Sequence, residues 1–401
     1  MTAMPDTPPS ATRTALIGGL LTALASVSMA LYTPAMPTLT VVFGTTMAMV
    51  KTSLTAFFAG FALSQLVCGP VSDAFGRRFA ALLFLALYTL GGIGALFAET
   101  IETLIAARAL QGVGAAIGVG VSRAVVRDCF TGEEAARILA TIGIVLSIGP
   151  AISPTLGGFL LTLFGWRAVF VVMALFGLAA LAVVAFALPE TNRDRDPAKA
   201  RPGRVIATYA MLARERRFLL PVLSIGFSVG AIFTLGTLLP FVLIERVGLD
   251  PATFGIGMLA QTLSYLSGGV AARALIPRLG AERLILPGLV IGLLGACGTL
   301  LLGRVFAPSY LAVMIPVAAF AFSISLVIPG LTTRAMAPFP RAAGSAASLL
   351  GFVQMGAGFL GGVAATLFTD PVVGLGVVFP VMLAVALAAR LLDRGLASRH
   401  D

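Results

Sequence analysis

Twelve apolar stretches decide what this chain can become. They lie at about 14–36, 48–70, 79–98, 103–123, 138–164 and 166–188, then at about 218–244, 254–275, 284–303, 309–333, 343–368 and 371–391. A helix that crosses a bilayer needs ~20 apolar residues, so twelve of them use roughly 240 positions and leave short loops. Only 11% of the 401 residues are charged, less than half of the ~25% that a soluble domain carries. Mean hydropathy is +1.02. Such a chain cannot cover a water-facing surface with polar groups, which excludes the soluble fold classes and predicts an all-α polytopic membrane protein.

The 27 Lys and Arg outnumber the 17 Asp and Glu, and their placement gives the excess its meaning. With the N-terminus in the cytoplasm, the loops and helix ends on that side hold 22 of the basic residues. The opposite side holds four, Lys51, Arg167, Arg246 and Arg304. Cytoplasmic loops carry such an excess, so a multi-pass protein of the cell inner membrane is expected, with both termini cytoplasmic. The charge reads as an insertion signal and a match to anionic lipid. Membrane lipids are expected partners and nucleic acid is not. The first apolar run is too long for a signal-peptide core and no small-residue cleavage site follows it, so it reads as a retained span. Cys68, Cys129 and Cys297 lie on separate elements without metal spacing, and the one histidine, His400, is in the C-terminal tail. No metal and no cofactor is expected.

After six runs the composition changes. Residues 189–217 carry eight Lys and Arg and three Pro. The expected division is an N-terminal six-helix bundle at 1–190, a cytoplasmic linker at 191–217 and a C-terminal six-helix bundle at 218–401. The linker's second part, Val205 to Leu212, reads either as an amphipathic helix on the membrane surface or as a solvated loop. The two halves repeat each other: LGGFLLTLF from Leu156 and LGGVAATLF from Leu360 agree at six of nine positions at an offset of 204. Duplicated bundles around a midplane cavity are a mark of alternating-access transporters.

Three stretches carry signatures. The loop after the second run reads Gly69-Pro70-Val71-Ser72-Asp73-Ala74-Phe75-Gly76-Arg77-Arg78; the fourth run contains Arg108, Gln111, Gly112 and Gly114; the fifth contains Gly149, Pro150, Pro154, Gly157 and Gly158. Together these resemble the major facilitator superfamily, with its GxxxDxxGRR loop, its RxxxG fourth helix and its Gly-Pro fifth helix. Tyr32-Thr33-Pro34-Ala35-Met36-Pro37 and Arg127-Asp128 further resemble the twelve-span Bcr/CflA-type drug:proton antiporters. The resemblance implies two pseudo-symmetric six-helix bundles. It implies a conformational role for Gly69, Asp73, Gly76, Arg77, Arg78, Asp128, Gly149, Pro150 and Pro154, with Asp73 facing the positive N-terminal end of the eleventh span near Arg341 to Ser345. The second half holds a weak echo, Gly268-Gly269 to Arg273, Gly280 and Arg283, without an Asp, so a latch on one side only is expected. Pro150 and Pro154 remove backbone donors and should bend their helix.

Arg108 lies about a third of the way into its run. A charge at that depth costs ~2.5 kcal/mol or more on insertion scales, and arginine keeps its proton there. It should face the interior and line the cavity. The 17 acids all fall in loops, tails or last turns, and Ala30 stands where the Bcr/CflA pattern commonly has an Asp. The cavity should therefore be electropositive and favour an anionic or electron-rich solute, with a coupling proton or ion possible but no intramembrane carboxylate to carry it. Ser28, Tyr32, Gln65, Gln111, Gln261, Tyr265 and Gln354 complete the expected substrate cavity, since lipid-facing amides and hydroxyls are expensive. Ser147 is a further candidate on the fifth run. An intramembrane enzyme would lack an acid, base or metal site, and a sensor would lack a long cytoplasmic domain. The leading expectation is a monomeric secondary transporter of small organic solutes working by alternating access, most plausibly in multidrug or small-molecule efflux; the alternative is an importer or facilitator of an anionic metabolite or vitamin.

Overall fold

The computed structural model describes residues 10–302, 305 and 307–397; the side chains of residues 146, 147, 199, 341, 396 and 397 are outside that description. Ser147, the Arg341 end of the eleventh span, Arg304 and His400, all singled out in the sequence, therefore lie outside the described residues or side chains. Among the described residues the chain is helical, with no strand. Eleven helices are long and apolar enough to cross a membrane: Ala11–Val42, Met47–Phe75, Arg77–Leu96, Ile101–Cys129, Gly132–Phe164, Trp166–Ala187, Arg216–Arg246, Ala281–Leu301, Tyr310–Met336, Ala343–Thr366 and Pro371–Gly395. The remaining expected span, the eighth, is a helix pair, Pro251–Gly257 and Leu259–Leu279, joined at Met258. Its Arg273 and Arg278 lower its apolarity. Here the spans are numbered one to twelve in chain order, and the helix Pro202–Arg214 is the linker helix.

Helix ends follow ordinary capping chemistry. Thr46, Thr100 and Ser309 each accept from the amide three residues on, opening the second, fourth and tenth spans. Asp250 does the same for the eighth, taking the amides of Ala252 and Thr253, both at 3.0 Å. Hydrogen bonds from those amides and the Thr253 hydroxyl hold its carboxyl below the usual range.

Buried apolar side chains form one large cluster drawn almost wholly from spans one to six, and two more drawn from the second half and the linker helix. The repeated Leu-Gly-Gly motif explains how the halves meet. In the fifth span, Gly157 rests on the Leu31 carbonyl of the first span and Gly158 on the Pro251 carbonyl of the eighth. In the eleventh span, Gly361 rests on the Thr234 hydroxyl of the seventh and Gly362 on Thr55 of the second. In each half the first glycine packs inward and the second packs across. A Cβ at any of the four would displace its neighbour, so close helix contact requires glycine there. The cross-contacts lie toward the end away from the linker, where Thr155 also donates to the Gly255 carbonyl at 2.9 Å. Phe58 and Phe233 stack between the halves with centroids 5.4 Å apart.

Candidate functional site

The fourth span is the hub of the first half. Gly112 lies against the Phe57 carbonyl, Gly114 against the backbone of Phe84 and Tyr88, and Gly118 against the Leu21 carbonyl. Three neighbouring spans thus approach at backbone distance, and Arg108 is carried into the middle of them.

Its guanidinium is 0% exposed and is sandwiched by rings: its central carbon lies 4.6 Å from the ring centroid of Tyr32 and 4.6 Å from that of Phe57. It donates to Gln111 Oε1 in a close contact, to the Ser28 carbonyl at 3.4 Å and to Met173 Sδ at 3.7 Å. Nε has no hydrogen-bond partner and, among the described residues, no carboxylate pairs with the group. Each shielded cation–π face contributes about 0.5–2 kcal/mol. Two faces therefore approach the ~2.5–3.5 kcal/mol insertion cost of a mid-helix arginine. Aromatic faces, not an acid, hold the charge. Hydroxyl pairs complete the shell: Tyr32 with Ser53 at 2.6 Å and Ser28 with Tyr88 at 2.5 Å.

The eight expected cavity residues do not form one group. Ser28, Tyr32, Arg108 and Gln111 come together and are all 0% exposed, so in this conformation they are sealed inside the first half. Gln65 stands apart: its amide donates to the Ala116 carbonyl at 3.4 Å, where the fourth span changes from one helical segment to the next, and it packs on Gly351 of the eleventh span. Tyr265, Gln261 and Gln354 are half-buried in the second half. The Gln261 carbonyl oxygen is buried and unpaired, and the Tyr265 carbonyl accepts from Ser325 at 2.7 Å.

The expected conformational residues gather at the linker end. Arg77 Nε donates to Asp128 at 2.9 Å, its NH1 meets Asp73 in a close ion pair, and NH1 also reaches the Ser72 hydroxyl at 3.1 Å. Glu190 caps the third span, accepting from the amides of Arg77 at 2.9 Å and Arg78 at 3.2 Å. Gly76 turns the chain at φ 106°, and a Cβ there would strike that carboxylate. Arg78 donates to the Ala185 carbonyl at 2.6 Å. The Asp73 carboxylate pairs with Arg77, and Gly69, one turn earlier, faces Ser348 of the eleventh span. In the fifth span Gly149 faces Val27, and Pro154 meets Gly255. The helix runs unbroken through Pro150 and Pro154 from Gly132 to Phe164.

The second half carries its own ion cluster: Arg390 pairs with Asp393 at 2.6 Å and closely with Glu282, and Arg334 pairs with Asp393 at 2.5 Å and Glu282 at 3.2 Å. Lys51 lies one turn inside the second span, at the end away from the linker. It is 0% exposed, donates to the Ala365 carbonyl at 3.1 Å near the C-terminal end of the eleventh span, and lies 5.4 Å from the Phe241 ring centroid. An ammonium at a helix C-terminus meets unpaired carbonyls and the negative end of the dipole.

With this geometry in place, comparison with known proteins assigns the family. The model of the Major Facilitator Superfamily matches residues 18–362. The chain belongs to that superfamily. It is 30% identical over 346 residues to an uncharacterized MFS-type transporter YdgK of Bacillus subtilis (strain 168), covering 85% of each chain. It is 28% identical to a bicyclomycin resistance protein homolog of Haemophilus influenzae, over 78% of each, and 26% identical to multidrug resistance protein D of Escherichia coli (strain K12), over 90% and 91%. In fold it is similar to a D-xylose–proton symporter (TM-score 0.73, 14% identity, 95% and 97% covered) and to the human organic anion transporter MFSD10 (TM-score 0.67, 19% identity, 96% and 100% covered). As a major facilitator protein it is a multi-pass membrane transporter of small molecules and not an enzyme.

Sequence reasoning missed Tyr88, Phe57, Ser53 and Met173 around Arg108. Tyr88 left a signal: it is one of only five tyrosines and lies mid-span. The phenylalanine, serine and methionine left none in so apolar a chain.

Proposed function

We propose that this major facilitator protein is a secondary transporter exporting small organic solutes across the inner membrane by alternating access. In this reading residues 1–190 and 218–401 rock against each other about the glycine contacts, residues 191–217 join them, both termini are cytoplasmic, and the working unit is a monomer. The observation that carries it is the likeness, over 78% and 90% of the chain, to relatives named for drug resistance, joined to the resemblance to the Bcr/CflA-type antiporters.

The Arg108 core makes the first half's interior electropositive, and an anionic or electron-rich solute entering between the halves is drawn toward Tyr32 and Gln111 as rocking opens their surroundings. Gln65, Gln261, Tyr265 and Gln354 supply polar anchors within a mostly apolar wall. Asp73, Arg77, Arg78 and Asp128, with Gly69 and Gly76, stiffen the linker end so that the half moves as a unit; Gly149, Pro150 and Pro154 shape the fifth span against the first and eighth. Small molecules and membrane lipids are its partners. A guanidinium without an acid partner, in a chain with Ala30 where the subgroup commonly has Asp, supports a second reading: a facilitator or importer of an anionic metabolite or vitamin.

Flux in proteoliposomes under imposed pH and voltage gradients separates the two. Uphill export driven by a proton gradient supports the first, and gradient-insensitive uptake of organic anions the second. Efficient transport of cationic dyes, or Arg108→Ala transporting anions at the original rate, overturns the electropositive-cavity reading.

A further inference from the structure

Pro70 lies inside the second span and has no N–H. The Leu66 carbonyl, four residues earlier, therefore lacks its helical donor, and within a membrane such a carbonyl must be satisfied by a neighbour. The neighbour is the linker helix: the Tyr209 hydroxyl donates to the Leu66 carbonyl at 2.9 Å. Ser348 of the eleventh span faces the same place, its Oγ 3.2 Å from where a Cβ on Gly69 would stand. The phenol thus sits at the seam between the second and eleventh spans.

One turn further along, Leu212 is fully buried among second-half residues including Phe218, Val222, Ile225 and Leu349. The linker helix is anchored to the second half, while its phenol bonds backbone of the first. We propose that Tyr209 is a latch between the halves, seated on the carbonyl that Pro70 leaves free and holding the linker ends of the second and eleventh spans together until the cycle opens them. The linker is then a moving part of the cycle and not a tether. Burial pushes the Tyr209 phenol up to about 12, so it remains a donor at any physiological pH and the latch answers to conformation, not to protons.

The inference takes alternating access from the reading above, but its test uses neither substrate nor gradient, so either can fail while the other stands. Cys68, two residues from Leu66, is buried, and with Cys129→Ala and Cys297→Ala it becomes a native reporter of seam opening. Maleimide alkylation of Cys68 is measured in the full chain in lipid vesicles. Removing the hydroxyl with Tyr209→Phe should raise the rate about threefold to tenfold, the effect of one ordinary net hydrogen bond on an opening equilibrium. Pro70→Ala restores an N–H for Leu66, so adding Tyr209→Phe to it should change the rate less than about twofold. No rise in the Pro70 protein overturns the latch. An equal rise in both backgrounds also overturns it, because the phenol would then act through packing alone.

Discussion

The two halves build their linker ends from the same helices with opposite charge. In the first, the Arg77 guanidinium at the start of the third span meets Asp128 at the end of the fourth, while Glu190 after the sixth takes the backbone amides of Arg77 and Arg78. In the second, Glu282 at the start of the ninth meets Arg334 near the end of the tenth and Arg390 on the twelfth. The repeat offset of 204 takes Arg78 onto Glu282, so the sign is reversed at one duplicated position. The ion pair that joins the third and fourth spans thus recurs between the ninth and tenth with its sign exchanged. The difference lies in burial. Arg390 and Asp393 are 3% and 5% exposed, whereas Asp73, at 42% of its side chain, opens the first cluster to water.

That contrast ranks the outcomes. Asp393→Ala strands Arg390 and Arg334 with only the half-exposed Glu282 and should cost about 3–5 kcal/mol, seen as the largest fall in melting temperature of purified protein. Arg77→Ala should cost about 2 kcal/mol by the same measurement, since Asp128 is less buried and water reaches Asp73. If the first-half variant is the worse of the two, burial does not govern the pair. The exchange Glu282→Arg with Arg390→Glu should recover at least about 1 kcal/mol over the sum of the single changes, a double-mutant coupling within the usual range for contacting charges. Gly76→Ala, which meets both a positive φ and the Glu190 carboxylate, should cost about 1 kcal/mol or more. A comparable loss at Gly280, where φ is 80° but nothing lies within 4 Å of a Cβ, would show that strain rather than the carboxylate sets the effect. Smallest, Arg108→Lys keeps the charge but loses the planar stack on Tyr32 and Phe57, and should lower stability by about 1 kcal/mol.

Much of the fold was legible because one-dimensional hydropathy is itself the physical cause of a spanning helix. The eighth span is the exception: its arginines and the break at Met258 weaken the signal. The Arg108 position within a span was equally legible, as were Ser28, Tyr32 and Gln111 beside it, but Phe57 and Met173 come from two other helices and are unremarkable singly. Glu190, the last residue of the expected first bundle, is fixed by the positive end of the third span, a contact between residues over 100 positions apart that no local pattern announces. The Glu282–Arg390 pair joins residues 108 apart, with no local pattern to announce it. Lys51 was legible as a charge at the far end of the second span, but its burial was not, because the carbonyl and the ring it meets belong to other helices.

Bare backbone at the crossings between the halves has a mechanical consequence. Where Gly158 meets Pro251 and Gly255 meets Pro154, no side chain interlocks, so a small rotation slides one helix over another without forcing rotamers to change. In the rocking proposed above, contacts of this kind would act as bearings, leaving resistance concentrated in a few removable bonds, of which the Lys51–Ala365 contact is one.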